Sequence, residues 1–517
     1  MKGIIAAGLA LAVTAAGCSG DGRRTGPGGE KMNAYYVDAV AGDDANPGTS
    51  PEKAWKTVEK ANGAVLKAGE HLLFRGGQVF AGKVELTATE SGSPGAPVEI
   101  SSFGKGLATI DGGAGDAVVA EGCHDIRITR LIVKGMGRLE GNKGGRGVLL
   151  SRVKDAVVDG VEASGFQKAG IHASESEKVR VTNCHAHDNG FAGIWIWGGK
   201  GHYVGDSRAI NNPGDPTIMD NHSGNGILLG GCEDSLVEYC ESAENGWDQP
   251  KGGQGNGPVG IWCHDAKRIT IQNCIAHHNK STSGDGGGFD FDGGTSESVL
   301  QYNYSYENKS SAVLLWEYGS RLPLCDNVIR YNISVNDGES GIRFGKSGGQ
   351  DVARIEIYNN LVINDRVPCV WGQNDGVKDI RIRNNIFIGP RAGEMLKDRG
   401  GVRYEGNCWW APDGRFEAGG IIGFESWASA TGQEMSGGQP VGLFANPRLA
   451  NADSVPRITN PHGLSALRDF MLSADSPCID RGMDLKGRFG LDPGGRDFFG
   501  GPAPRGTAPD IGVHEAR

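Results

Sequence analysis

The sequence predicts an all-β protein wound as a parallel β-helix, and three observations carry that prediction. The first is an internal repeat. VTNCHAHDNG (181–190), VEYCESAENG (237–246), IQNCIAHHNK (271–280), LQYNYSYENK (300–309), IRYNISVNDG (329–338), IYNNLVINDR (357–366) and the partial IRNNIFIG (382–389) are copies of one pattern. A repeat of this kind marks stacked units, none of which can bury a core alone. The second observation is a short alternating run after most copies: GIWIWGG (193–199), GIWCHDA (260–266), GGFDFDG (287–293), AVLLWEY (312–318) and GIRFGKS (341–347). Alternation broken by Gly, Asn and Asp reads as coils of strand rather than helix pairs.

The third observation is a column. The fourth position of the aligned copies reads Cys184, Ser207, Cys240, Cys274, Asn303, Asn332, Asn360 and Asn385, so successive copies lie 23 to 34 residues apart. Small polar residues in register should stack inside the coil, one per rung at ~4.8 Å, with the amides bonded along the axis. A second column, Asn189, Asn245, Asn279, Asn308, Asp337 and Asp365, is expected at a turn, where Asn and Asp tolerate left-handed backbone.

The N-terminus reads as a targeting segment. Lys2 precedes an apolar run, Ile4 to Ala16, too short to span a membrane. Ala15-Ala16-Gly17-Cys18 is similar to a bacterial lipoprotein signal. That resemblance implies residues 1–18 as a signal peptide, a lipid anchor on Cys18 and an exported protein on the bacterial envelope. Ala15 stands where such boxes usually have Leu, which keeps plain secretion open. Residues 19–33 have the composition of a flexible tether. Glycine, 86 of 517 residues, is more than twice its usual ~7% share. The formal net charge of −10 argues against nucleic acid or a strongly anionic polymer as partner. Eleven cysteines without metal-type spacing are expected as buried thiols apart from Cys18.

Residues 34–84 are expected to cap the stack, with a helix near Pro51 to Ala64 closing the open end. GDDANPG (42–48) reads as a turn, with calcium as the competing role for its acids. YYVDAVAGDDANPGT, AWKTVEKA, FRGGQVFAGKVEL and IDGG resemble the N-terminal region of secreted bacterial right-handed β-helix proteins of the pectate-lyase-like superfamily. DFMLSADSPCIDRG and DFFGGPAPRGTAPDIGVHE resemble their closing segment. The resemblance implies a right-handed coil over 85–410, an irregular segment over 411–517 closing it, and a carbohydrate-active protein. The same architecture hosts several chemistries.

The site is read from GGGFDFDGG (286–294). Alternation should send Ile194, Ile196, Ile261, Cys263, Phe289, Phe291, Val313, Leu315, Ile342 and Phe344 inward. The outward face then carries Trp195, Trp197, Trp262, His264, Asp290, Asp292, Leu314, Trp316 and Arg343, with Asp265 and Glu317 at strand ends and Gly293 leaving a gap between them. Tryptophans beside acids suit a sugar chain, and two acids on one strand face repel unless something uses them. The Gly-rich insertions 247–258 and 280–288, which carry Trp247 and Asp285, are expected to wall the groove. His185, His187, His277 and His278 fall on another face.

Two carboxylates can cleave a glycosidic bond as acid and base. Residues i and i+2 of a strand sit ~6.6 Å apart at Cα. That straddles the retaining window, about 5–5.5 Å, and the inverting one, about 6.5–9.5 Å. A glycoside hydrolase is therefore expected, with Asp290, Asp292 and Glu317 catalytic and Trp195, Trp262, His264, Asp265, Trp316 and Arg343 binding a polysaccharide or oligosaccharide. The alternative that the family resemblance supports is a calcium-dependent polysaccharide lyase. There Asp265, Asp290, Asp292 and Glu317 would hold Ca2+ through oxygen ligands, and Arg343 or Lys346 would take a proton from a uronate. The face has few basic residues for a polyanion, which favours hydrolysis. The third reading is a non-catalytic glycan-binding β-helix. A monomer is expected in each case.

Overall fold

The computed structural model describes residues 33–139, 144–249, 257–282, 284–373, 376–398 and 400–516. The expected signal peptide and lipid-anchor Cys18 and nearly all of the expected tether lie outside the described residues, as does most of the first Gly-rich insertion.

Three parallel ladders wind around one core. The first climbs from Val84–Leu86 through Ala192–Lys200, Asn225–Gly230, Ile261–His264, Phe289–Asp292, Val313–Glu317 and Ile342–Lys346. The second runs from Ala34–Val37 to Val402–Glu405, and the third from Val79–Ala81 to Leu443–Phe444. The stack therefore starts earlier and ends later than 85–410. Ala34–Val37 already pairs in parallel with His71–Arg75, so the expected cap contains the first rung. Its short helix, Val58–Asn62, starts at Thr57, whose side chain accepts from the Lys60 amide, and buries Val58 and Ala61. Asp44 of the GDDANPG loop accepts from the Lys56 and Thr57 amides and the Thr57 hydroxyl, which makes it a closed turn.

Alternation sorts the strands as the sequence implies. The ten inward residues named above are all buried, at 4% exposure or less. Each buried large aliphatic or aromatic side chain contributes about 1.5–3 kcal/mol. The first polar column is an inner ladder. Asn303, Asn332, Asn360 and Asn385 each donate from Nδ2 to the next Oδ1 at 2.9–3.0 Å, and Asn407 and Glu434 extend the chain. The ten described cysteines are buried and free.

The second column differs from expectation. Asn189, Asn212, Asn245, Asn279, Asn308 and Asp337 form a second buried ladder, with links of 2.8–3.0 Å. The left-handed residues are those one position earlier: Asp188, Asn211, Glu244, His278, Glu307 and Asn336. The bend there turns the next side chain into the coil, where its amide needs a partner. Asp365 is not a member; it sits half-buried on the surface and its N–H bonds to Asn336 Oδ1.

At the C-terminal end the helix Phe424–Thr431 lays Phe424, Trp427 and Ala428 over the core. The later chain runs along the third ladder. There Tyr304, Ile333, Leu361 and Ile386 pack against Leu464, Phe470, Leu472 and Ile511. That packing leaves the outer face of the first ladder open.

Candidate active site

On the first ladder the outward residues stack in register. One column reads His172, Trp195, Leu228, Trp262, Asp290, Leu314, Arg343 and Trp371. Above it lies a cavity of about 780 Å³ whose wall includes Trp195, Trp262, His264, Asp290, Asp292 and Trp316. These are six of the nine residues expected at the site. Asp265, Glu317 and Arg343 are not in that wall.

Each of the three has a physical reason. Glu317 is fully buried, because alternation turns it inward after Trp316. Its carboxylate accepts from the amides of Gly319 at 2.8 Å, Ser320 at 2.6 Å and Gly294 at 3.3 Å. Burial raises its pKa and those amides oppose the rise. Asp265 sits behind His264. It bonds His264 Nδ1 at 3.0 Å, accepts from the Tyr318 hydroxyl at 2.8 Å and from Ser320. Burial pushes its pKa up, but those hydrogen bonds outweigh it and hold the group at about 2. It orients the imidazole. Arg343 pairs with Glu339 and lies between the rings of Trp316, at 4.9 Å, and Trp371, at 4.8 Å. The gap expected at Gly293 is occupied: a Cβ there would meet the Tyr318 ring at 2.9 Å.

The acids gather instead around the strand pair. Asp290 is 2% exposed and Asp292 half-buried, and one oxygen of each is buried without a partner among the described residues. A third carboxyl, Asp285, enters from the second insertion and lines the same wall. Gly286, in left-handed backbone at φ 84°, turns the chain from Asp285 into the strand. Burial raises all three pKa values. The charges of Asp292 and Asp285 add to the rise at Asp290, and those of Asp285, Glu317 and Asp265 add to it at Asp292. Asp285 reaches about 7, with Arg343 pulling downward. Crowded, desolvated carboxyls hold protons that exposed ones lose.

The lyase donor set does not fit this arrangement. Among the described residues no three His, Cys, Asp or Glu side chains converge as metal ligands. Glu317 and Asp265 already spend their oxygens on protein donors. The GDDANPG loop is likewise closed on itself.

The aromatic wall also differs from a row of open platforms. Trp262 is 4% exposed, with Nε1 bonded to Asn225 Oδ1 at 3.1 Å and its ring edge-on to His222 at 5.0 Å. His222 and Asn221 come from the segment after Pro213, whose role as a wall the repeats do not announce. Trp197 is more open, 40% exposed, and lies 5.6 Å from His264. Gly230 between them makes that approach possible, since a Cβ there would touch both rings at 2.7 Å. Gly257 and Asp285 bring parts of both insertions to the wall, as expected; Trp247 stands outside it, bonded to Asn211. His185 and His187 lie on the third ladder, as does His277, which stacks on Tyr306.

Known proteins share this architecture. A lacto-N-biosidase of Bifidobacterium longum subsp. longum is 22% identical over an alignment covering 78% of this chain and 32% of that protein. The chain thus spans about a third of that relative's length. A solved GH136 lacto-N-biosidase from Eubacterium ramulus superposes with a TM-score of 0.52 at 20% identity, over 65% of each chain. A PL6 family alginate lyase superposes with a TM-score of 0.51 at 13% identity, over 81% of this chain and 56% of that one. These two likenesses are of fold alone. The family profile described as the right handed beta helix region matches residues 108–324 and 215–408, together more than half of the 517 residues, and the chain belongs to that family.

Proposed function

We propose that this chain is a carbohydrate-active enzyme, a glycoside hydrolase that cleaves a glycan in the first-ladder cavity by carboxyl acid/base chemistry. One observation carries the reading: Asp290 and Asp292 each keep a buried oxygen without a partner among the described residues, in a cavity walled by aromatic rings. Unpaired carboxyl oxygens are costly to the fold unless a ligand uses them.

The chemistry needs one protonated and one ionised carboxyl on opposite sides of the glycosidic bond. Asp285, with a value of about 7, has a proton to donate near neutral pH. Asp292, half-buried at the wall, acts on the sugar as the carboxylate: a proton on Asp285 removes one of the charges that raise its value, and the Gly293 amide opposes the rest. Asp290, the most enclosed of the three, keeps its own proton, since burial and the charges of Asp292 and Asp285 all raise its value. His264, oriented by Asp265, and Trp316 position the substrate. The sequence relative from Bifidobacterium longum, a lacto-N-biosidase, supports a glycan substrate.

The test is a panel of neutral and uronic-acid glycans that includes substrates of lacto-N-biosidases. New reducing ends without ultraviolet absorbance from unsaturated uronates, undiminished by EDTA, are expected. Unsaturated products that stop with EDTA and return with calcium would replace the hydrolase by the lyase. Binding without turnover would leave a glycan-binding protein.

A further inference from the structure

The cavity does not end at the acids. It continues toward the N-terminal coils over Trp262, Leu228 and Trp195 to His172, which lines its far end. These residues are in register, so His172 stands four rungs from Asp290, ~19 Å at ~4.8 Å per rung.

Three buried polar atoms at that end have no partner among the described residues: Nδ1 and Nε2 of His172 and Nε1 of Trp195. The indole N–H groups of Trp262 and Trp316, in the same cavity, are bonded to Asn225 and Ser347. His172 is 5% exposed, and its ring lies on Trp195 with centroids 3.9 Å apart and planes 17° off parallel. Burial, helped by the charges of Arg146 and Lys168, lowers its pKa to about 3. The imidazole is therefore neutral at working pH, with one N–H donor and one bare nitrogen acceptor. A bare nitrogen requires a ligand that can donate. Hydroxyl groups donate and accept; a carboxylate or sulfate only accepts. The stack also covers one face of Trp195, so a ligand meets polar ring edges there.

We propose that the His172–Trp195 end is a distal subsite that reads the hydroxyl groups of an uncharged sugar unit, four rungs from the carboxyl cluster. This rests on the cavity's reading as a glycosidase cleft, and it narrows the substrate to neutral chains long enough to reach from Asp290 to His172. Binding at a remote unit helps hold the scissile bond at the acids, so short substrates lose rate as well as affinity.

Two variants test it. His172→Phe keeps the ring stack and removes both nitrogens, and Trp195→Phe removes the indole N–H. The probes are neutral gluco- and galacto-configured oligosaccharides from disaccharide to hexasaccharide, with uronic-acid oligomers as the charged comparison. Calorimetry on the otherwise unaltered protein and on the Asp292→Asn variant reads binding apart from turnover. Wild type should bind longer neutral chains progressively tighter. Each variant should lose about tenfold on the longest chains and nothing on the disaccharide, with an unchanged Tm. A loss equal at all lengths, no loss at any length, no dependence on length in wild type, or preference for the uronic series overturns the proposal. Length-dependent binding that both variants weaken, without hydrolysis of any probe, upholds the subsite and removes the hydrolase.

Discussion

Trp262 and Asp290 hold the same register position on adjacent strands, so the outward column passes from indole to carboxylate in one rung. The indole seals the acid from water on one side, and Leu314 does so on the other. Desolvation is consequently the largest cause of the raised pKa of Asp290.

Replacing Asp292 or Asp285 by Asn should lower kcat by roughly 10²–10⁴-fold each, the usual contribution of a positioned acid or base. Asp290→Asn should lower it less, since the carboxyl it replaces already holds its proton. Inward packing does not involve these side chains, so far-ultraviolet circular dichroism should stay unchanged. Wild-type turnover by all three variants on a verified substrate would place the chemistry elsewhere.

Asp285 sets a pH limb. A general acid held at about 7 is protonated below that value and loses its proton above it, so kcat should fall as pH rises through about 7. In Asp285→Asn the residual rate should show no such limb. A limb that survives the substitution belongs to another group.

Asp337 ends the second ladder, accepting from Asn308, Ser305 and Ser334 while burial holds its pKa at about 7. In the unfolded chain an aspartate titrates near ~3.9. Between those values the folded protein binds the extra proton, so this group's contribution is greatest at the acid end and is lost as pH rises toward about 7. Asp337→Asn should flatten part of the fall in Tm over that window. Glu434, also at about 7 and ending the first ladder, should keep the remainder. An unaltered Tm profile would mean Asp337 is not the titrating group.

Asn332 bridges Asn303 and Asn360 inside the coil. Asn332→Leu leaves the Asn303 backbone N–H unpaired and takes one of two partners from Asn303 Nδ2 and from Asn360 Oδ1, and an unpaired buried group costs about 1–3 kcal/mol. Urea midpoints should drop accordingly. A loss below about 0.5 kcal/mol, the range of an ordinary surface change, would show that the amide ladder does not hold the rungs.

Much of this molecule follows from local order along the chain. Strand side chains alternate with period two, and a stacked repeat places equivalent positions one rung apart. Those two rules suffice to send Phe289 and Phe291 inward, Asp290 and Asp292 outward, and Asn303 to Asn385 into one column. They also misplace the second column by one residue, because a left-handed bend at Asn336 redirects Asp337 in a way that spacing does not record.

What the repeats could not determine is everything brought by segments between the rungs. The exposure of Trp262 depends on where the chain after Pro213 carries His222. Asp285 reaches the acids because a glycine turn folds the insertion back. Glu317 turns inward by alternation, but the amides that take up its carboxylate are brought by neighbouring turns. The sequence alone determined the coil, its inward and outward faces and the position of the acid pair, since these depend on periodicity. Only the tertiary structure decided which outward residues meet the cavity and which are covered, since that depends on the paths of loops whose contacts are distant in sequence.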